Sequence, residues 1–452
     1  MKISIIGTGY VGLVSGICLA ELGHDVVCVD IDQKKVEQIN AGHAPIHEVG
    51  LDELLLRLCG VNFRATTDLN EAVLHSEISI IAVGTPLDGD EIDLEPIRIA
   101  TRQIGSVLKD KSTYHVVVVK STVVPGTTCE VVLPLLEKFS GKKAMRDFGV
   151  GMNPEFLREG EAVKDFMNPD RIVLGGIDER SLRVMEEIYR PFATVDQIQT
   201  NPNTAEMIKY TANSLLATMI SFSNEIGNLC AVIPNVDVIE VMRGVHLDKR
   251  LSPILTDGTR IVPSITSYIQ AGCGFGGSCF PKDVKALIAH GQKLGREMRL
   301  LDAVVKVNHG QPKVVLGLLE SRFSDFENLN VTVLGVAFKP GTDDIRESPA
   351  LGIIRELLGK NARVKVFDPV AHAATEKFFG AGVLDYADSL QDAVDGSQAL
   401  ILLTYWPEFE CLPEMIGRQV VPPVLIDGRR AIDKKSVPKY EGVGLLNSIR
   451  TQ

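Results

Sequence analysis

A short apolar run, Lys2–Ile6, ends in Gly7-Thr8-Gly9-Tyr10-Val11-Gly12, and a helical pattern, Gly12–Leu22, follows without a break. This junction constrains the fold more than any other stretch. A strand that turns on glycines straight into a helix carries its chain back along the sheet, so the next strand lies parallel to the first. The GxGxxG spacing adds a chemical meaning. The glycines allow a tight turn and a close backbone approach, and a pyrophosphate fits the helix N-terminus that follows. The next strand, Asp25–Val29, leads into Asp30, eighteen residues after Gly12. A carboxylate there can accept hydrogen bonds from an adenosine ribose and repel a 2′-phosphate, which favours NAD over NADP. The alternative is a glycine turn that only packs a helix on a strand. Lys35 is either a further cofactor contact or a solvated helix charge.

Candidate strands Ile78–Val83, Tyr114–Lys120 and Arg171–Gly175 alternate with helical patterns such as Gln33–Asn40. Such alternation predicts a parallel sheet with helices on both faces. From Thr204 to about Gly227 the chain reads as one long helix, or one that extends beyond that glycine. Helical patterns follow at 236–243, 281–294 and 297–320, and the Gly/Pro/Ser/Thr-rich stretch 251–278 reads as an ordered functional loop, or as disorder if unliganded. Strands return at Asn330–Val336, Arg363–Phe367, Ala399–Leu403 and Val424–Ile426. The expected architecture is α/β: two Rossmann-like doubly wound parallel-sheet domains, 1–200 and 326–452, joined by a helical central domain, 201–325, that contains the long helix.

Composition excludes some classes of partner. The net charge of −11 gives no basic field for nucleic acid. No run of about 18 uncharged apolar residues predicts a membrane span. The apolar N-terminal run breaks at once into glycines, so it reads as a buried strand and not as a signal peptide. The 8 cysteines include no CxxC pair. They read as reduced thiols of a cytoplasmic protein, with neither a disulfide framework nor a metal site.

Several residues could carry chemistry. Cys279 lies in Gly274-Phe275-Gly276-Gly277-Ser278-Cys279-Phe280-Pro281-Lys282-Asp283. Pro281 suits a first helical turn, so Cys279 is expected at a helix N-terminus, where a thiol ionises more readily. A thiol beside a hydride acceptor can trap an aldehyde as a thiohemiacetal. Oxidation then gives a thioester, and water releases an acid. Asp283 could serve as base or orient water; the bland alternative is an inert core cysteine, which is the preferred reading for Cys273. Lys209 and Asn213, four apart on the long helix, could stabilise an oxyanion or be ordinary helix-face residues. Glu155 and Glu159 could be a water-activating base and a cofactor contact, or first-turn acids of a helix. Thr85 and Thr122 follow predicted strands, where ligands of open α/β sheets bind, so their hydroxyls could hold cofactor or water; the alternative is simple turn chemistry.

Taken together, these motifs resemble the UDP-glucose/GDP-mannose dehydrogenase family of nucleotide-sugar 6-dehydrogenases over essentially the whole chain. The matching segments are GTGYVG at 7–12, VGTP at 83–86, KSTV at 120–123, NPEFLREG at 153–160, NPDRIVLGG at 168–176, AEMIKYTAN at 205–213, GFGGSCFPKD at 274–283, GVAFKPGTDDIRESPAL at 335–351 and DGRR at 427–430. The resemblance implies two successive NAD-dependent oxidations of a sugar C6 hydroxyl, with UDP-glucose expected as substrate and GDP-mannose or UDP-N-acetylmannosamine as alternatives. Carried over position by position, it implies Cys279 as nucleophile. It gives Lys209, Asn213 and Asp283 oxyanion, proton or water roles, has Thr122 position water, and makes Glu155 the base of hydrolysis. Gly7, Gly9, Tyr10, Val11, Gly12, Asp30, Lys35, Thr85, Thr122, Glu159, Lys282 and Arg346 match cofactor-contacting positions. The nucleotide sugar is expected at Glu155, Phe156, Leu157, Lys209, Asn213, Tyr268, Ile269, Gln270, Ala271, Gly272, Gly276 and Lys339, and at one of Arg429 and Arg430. Arg250 matches an arginine that the family donates to a neighbouring subunit, so a homodimer or higher homo-oligomer is implied. Three stretches depart from the family pattern: a long Ser252–Ile265, a short loop after Thr85, and Tyr405 where an acid is frequent. Two other readings remain at this point, a single-oxidation hydroxyacid dehydrogenase and a non-catalytic NAD-binding regulator.

Overall fold

The computed structural model describes residues 1–446. The chain divides, within one helix, into two compact units: Met1–Ala212, and a second that begins at Asn213. The first is built on an eight-stranded sheet in the order Gln197–Thr200, Ile172–Gly176, Phe148–Met152, His115–Val119, Ile78–Ile81, Lys2–Ile6, Asp25–Val29, Phe63–Thr66. Neighbours are parallel except Phe148–Met152 against Ile172–Gly176, which run antiparallel. The doubly wound parallel sheet expected from the sequence therefore carries two reversed strands at one edge.

The central strands explain themselves. His115–Val119 is a histidine and four valines, all buried. β-Branched residues pointing to both faces suit a strand covered by helices on each side. Alternate residues enter opposite cores, Val116 and Val118 one and Val117 and Val119 the other. The strand Phe148–Met152 was not expected, because Gly149 and Gly151 lower its strand character. Packing requires those glycines: a Cβ at Gly149 would lie 2.4 Å from Ser181 Oγ, and one at Gly151 would lie 2.3 Å from Met185 Sδ. Phe63–Thr66 and the edge strand Gln197–Thr200, each with polar residues among its four, also lack a clear strand signal.

The long helix runs Pro202–Cys230. It starts earlier than expected because Asn201 Oδ1 accepts the N–H of Thr204 at 2.9 Å and Pro202 suits the first turn. It also continues past Gly227, whose missing side chain admits Ala271; a Cβ would come within 2.8 Å of the Ala271 Cβ.

In the second unit the helices Val238–His246, Phe280–Lys293 and Arg299–Glu320 precede a six-stranded parallel sheet. Its order is Asp385–Tyr386, Arg363–Phe367, Asn330–Leu334, Ala399–Leu402, Val424–Asp427, Tyr440–Gly442. Val238, Met242, Ile269 and Ala271 share one hydrophobic core with this sheet. Each sheet has a point where successive crossovers leave in opposite directions: between Lys2–Ile6 and Ile78–Ile81 in the first, and between Asn330–Leu334 and Ala399–Leu402 in the second. Ligands of such sheets bind at the carboxyl ends of those strands.

Candidate active site

The first unit gathers four loops at the carboxyl ends of adjacent strands: Gly7–Gly12, Ala82–Pro86, Lys120–Gly126 and Asn153–Gly160. The glycine turn is shaped by contact. Gly7 has φ +103°, and a Cβ on it would lie 2.8 Å from the carbonyl oxygen of Ala82. Gly9, by contrast, has no heavy atom within 4 Å of where a Cβ would stand, and it brings no side chain to cap the helix Tyr10–Glu21. The first-turn N–H groups, including that of Val11, thus face an open cradle, which fits the pyrophosphate of a dinucleotide. Asp30 takes the N–H of Thr8 at 2.9 Å and its hydroxyl at 2.5 Å on one oxygen, and the N–H of Asp32 at 3.0 Å on the other. Burial raises this carboxyl, but those hydrogen bonds and nearby Lys35 outweigh it and hold it below the usual carboxylate range. The charged carboxylate fits NAD as the residues of the turn do.

Tyr10 behaves differently from a free cofactor contact. Its hydroxyl donates to Glu48 and accepts the N–H of Gly160 at 2.7 Å. Glu48 also accepts the N–H groups of Gly160 at 2.7 Å and Ala162 at 2.8 Å. Glu48 thereby ties the glycine turn to the end of the segment carrying Glu155 and Glu159, and no sequence motif singled it out. Thr85 Oγ1 donates to the carbonyl of Thr122 at 2.9 Å, so those two loops are also joined.

Glu155 and Lys209 form a buried ion pair at 2.8 Å, with side chains 6% and 4% exposed. Glu155 also accepts the N–H of Leu157 at 2.6 Å. Burial raises the Glu155 carboxyl, but Lys209, the Leu157 N–H and Lys120 together hold it low. The exposed-lysine alternative for Lys209 is therefore excluded. Phe156 lies beneath the Arg171 guanidinium, 3.8 Å from ring centroid to its central carbon, and Lys209 Nζ stands 5.4 Å from the same ring. Leu157 is half-buried against the core, and Glu159 is half-buried.

In the second unit Cys279 is the N-cap residue of Phe280–Lys293 and is partly exposed. Asp283, 1% exposed, is held by two donors: Asn213 Nδ2 at 2.6 Å and Lys282 Nζ at 2.6 Å. Its own N–H donates to the carbonyl of Cys279 at 2.8 Å. Cys273 is fully buried, and burial pushes its thiol up; it is the inert cysteine. The loop before Cys279 is pressed onto 346–348: Gly277 donates to the carbonyl of Arg346 at 2.8 Å, and a Cβ at Gly276 would lie 2.3 Å from the carbonyl oxygen of Glu347.

Arg429 and Arg430 separate cleanly. Arg429 reaches the carbonyls of Gly274 at 3.1 Å and Phe338 at 3.4 Å, at the switch point of the second sheet and beside Lys339. Arg430 is buried on Asp237 at 2.9 Å. Tyr268 packs on Phe280, Ile269 and Ala271 are buried in the core, Gln270 is exposed, and Gly272 donates to Asn224 Oδ1 at 2.7 Å. The guanidinium groups of Arg250 and Arg346 are exposed and lie on Asp248 and Asp344 respectively. Asp368 occupies in the second sheet the place of Asp30 in the first. Its oxygens are taken by the N–H groups of Val336, Ala337, Val370 and Ala371 at 2.7–3.1 Å. This acid is consumed by its own loops, unlike Asp30.

A glycine cradle at a switch point, an ionised acid after the second strand and a buried Lys–Glu pair at the same sheet edge define a dinucleotide-binding α/β protein. Residues 1–193, 203–310 and 332–434 match, in turn, the NAD binding, central and UDP binding domains of the UDP-glucose/GDP-mannose dehydrogenase family. The chain is 44% identical over 448 residues to UDP-glucose 6-dehydrogenase AglM of Haloferax volcanii, covering 98% of this chain and 100% of that one. It is also 44% identical over 439 residues to GDP-mannose 6-dehydrogenase of Azotobacter vinelandii, covering 93% and 96%. The structure of a UDP-glucose dehydrogenase from Pyrobaculum islandicum superposes with a TM-score of 0.88 at 39% identity, covering 98% of this chain and 97% of that one. The chain belongs to the UDP-glucose/GDP-mannose dehydrogenase family and is an NAD-binding oxidoreductase. Among the described residues no helix is long and apolar enough to cross a membrane.

Proposed function

We propose that this chain oxidises UDP-glucose at C6 in the overall reaction UDP-glucose + 2 NAD⁺ + H₂O → UDP-glucuronate + 2 NADH + 3 H⁺. The observation that carries the chemistry is Cys279 at a helix N-terminus, one turn from the buried Asp283–Asn213 pair. NAD held at the Gly7–Gly12 turn and Asp30 would supply the hydride acceptor for C6 at both stages, the alcohol and the thiohemiacetal. Asn213, Lys209 and Asp283 hold the reacting oxygen and its proton. Cys279 Sγ bonds to the aldehyde carbon between the two oxidations, which keeps the aldehyde from leaving. Glu155 takes a proton from water as its oxygen bonds to the thioester carbon, and the C–S bond then breaks to release acid and thiol. The three-part division at 1–200, 201–325 and 326–452 follows the same reading, with cofactor, dimer and nucleotide roles in that order. Leu215, Phe222 and Leu229, each about half exposed and seven residues apart on the long helix, support a homodimer through that helix, and exposed Arg250 is available to a partner.

Identity to the Haloferax protein favours UDP-glucose, and equal identity to the Azotobacter protein makes GDP-mannose the second reading. The test is NADH release with UDP-glucose, UDP-galactose, GDP-mannose and UDP-N-acetylmannosamine. The expected result is two NADH per sugar with UDP-glucose preferred. Preference for GDP-mannose reverses the substrate assignment; one NADH per sugar overturns the four-electron reaction. NAD binding without turnover of any of the four supports a non-catalytic role.

A further inference from the structure

Lys120 is an ionisable group beside Glu155 and Lys209 that the proposed chemistry does not use. It follows the strand His115–Val119, directly before Ser121 and Thr122, and is 3% exposed. Its ammonium donates to Asn153 Oδ1 at 2.9 Å and to the Tyr189 hydroxyl at 3.4 Å, and stands 5.9 and 6.0 Å from the ring centroids of Phe166 and Tyr189. All these partners are neutral, and a buried cation without a paired anion is costly.

Asn153 is fixed on every side. Its N–H donates to the carbonyl of Val119 at 2.9 Å and its side-chain amide to the carbonyl of Val173 at 2.9 Å. Its Oδ1 takes Lys120 and the Tyr189 hydroxyl, the latter at 2.5 Å. Two residues later comes Glu155. The charged groups acting on Glu155 are Lys209 from the long helix and Lys120 from the strand end; those acting on Lys120 are Glu155 and Lys209. Burial pushes the Tyr189 hydroxyl up, so it stays neutral. Burial also brings the Lys120 ammonium down to about 8, against the attraction of Glu155.

We propose that Lys120 is a positioning residue for the water-activating step. Through Asn153 it fixes the segment that carries Glu155, and together with Lys209 it keeps that carboxylate ionised and able to take the proton of water. This rests on Glu155 being the base that hydrolyses the thioester.

Lys120→Met keeps an unbranched side chain one atom shorter and removes its charge. After rapid mixing with UDP-glucose and NAD, NADH absorbance reads the oxidations and intact-protein mass reads the acyl group on Cys279. The variant is expected to form both NADH of the first turnover at close to the wild-type rate. It then turns over about tenfold more slowly or worse, with acyl-enzyme accumulating. Its acid limb moves to higher pH, because losing a positive neighbour makes Glu155 easier to protonate. Asn153→Ala keeps the charge and cuts the tether, so it slows hydrolysis and leaves the acid limb in place. Wild-type turnover with an unmoved limb in Lys120→Met overturns the proposal, as does an equal slowing of every step with no movement of the limb. If Lys120→Met does not fold, wild-type turnover by Asn153→Ala overturns it instead. One NADH per sugar from the unmodified chain is a different failure, which removes the hydrolysis itself.

Discussion

Cys273 and Cys279 stand six residues apart, and of the two only Cys279 is partly exposed. Cys273 is sealed under the second sheet with its thiol pushed up by burial, whereas Cys279 is partly exposed at a helix N-terminus. Cys279→Ser is therefore expected to cut acid formation by about a thousandfold or more, measured as UDP-glucuronate released. Acid formation at the wild-type rate by that variant would remove the covalent step. Lys209 and Asn213 show how far spacing alone can be read. Their four-residue separation places them on one helix face, which was legible. Their partners are Glu155 and Asp283, 54 and 70 residues away in the chain, and no local pattern names them. The same holds for the neighbours Arg429 and Arg430, which resemble each other in sequence and go to different places.

Among the elements, the strongly periodic ones were legible and the special ones were not. The strands Lys2–Ile6, Asp25–Val29 and Arg363–Phe367 fall where the sequence places them. Phe148–Met152 was missed because its glycines answer to the helix Glu179–Ile188 packed on them and not to strand propensity. The helix Val238–His246 depends on Asp237, which caps it through the N–H of Ile239 at 3.0 Å and also pairs with Arg430 and Lys434. Asp237→Ala leaves the buried Arg430 without its carboxylate and is expected to cost about 3 kcal/mol in chemical denaturation. Burial raises the Asp237 carboxyl, but Arg430, Lys434 and the Ile239 N–H bring it to about 2. That stabilisation is whole above the ordinary aspartate value of 3.8 and is lost as the pH falls through about 2. The gap between wild type and variant should therefore narrow over that window; a gap that stays constant would mean Asp237 acts without its charge.

At the scale of the molecule, two sheets of one pattern differ in what their second-strand acids hold. Asp30 keeps a charged, partly exposed carboxylate, while Asp368 spends both oxygens on four backbone N–H groups. NAD is thus expected to protect backbone amides around 7–12 and 82–86 from hydrogen exchange. UDP is expected to protect those around 268–276 and 335–342. Hydrogen exchange followed by mass spectrometry checks this, and protection of the second set by NAD alone would reverse the assignment.

The sequence by itself determined the α/β class, the glycine cradle, the acid that favours NAD and the thiol at a helix start. Each of these is a local pattern: a period, a turn residue or a spacing within one element. Only the tertiary structure decided that Glu155 is paired and ionised, that Tyr10 is held by Glu48, and which of two arginines reaches the glycine loop. It alone placed Lys120 behind Asn153. Burial and hydrogen-bond partners come from elements far apart in the chain, and they set charge and reactivity where spacing is silent.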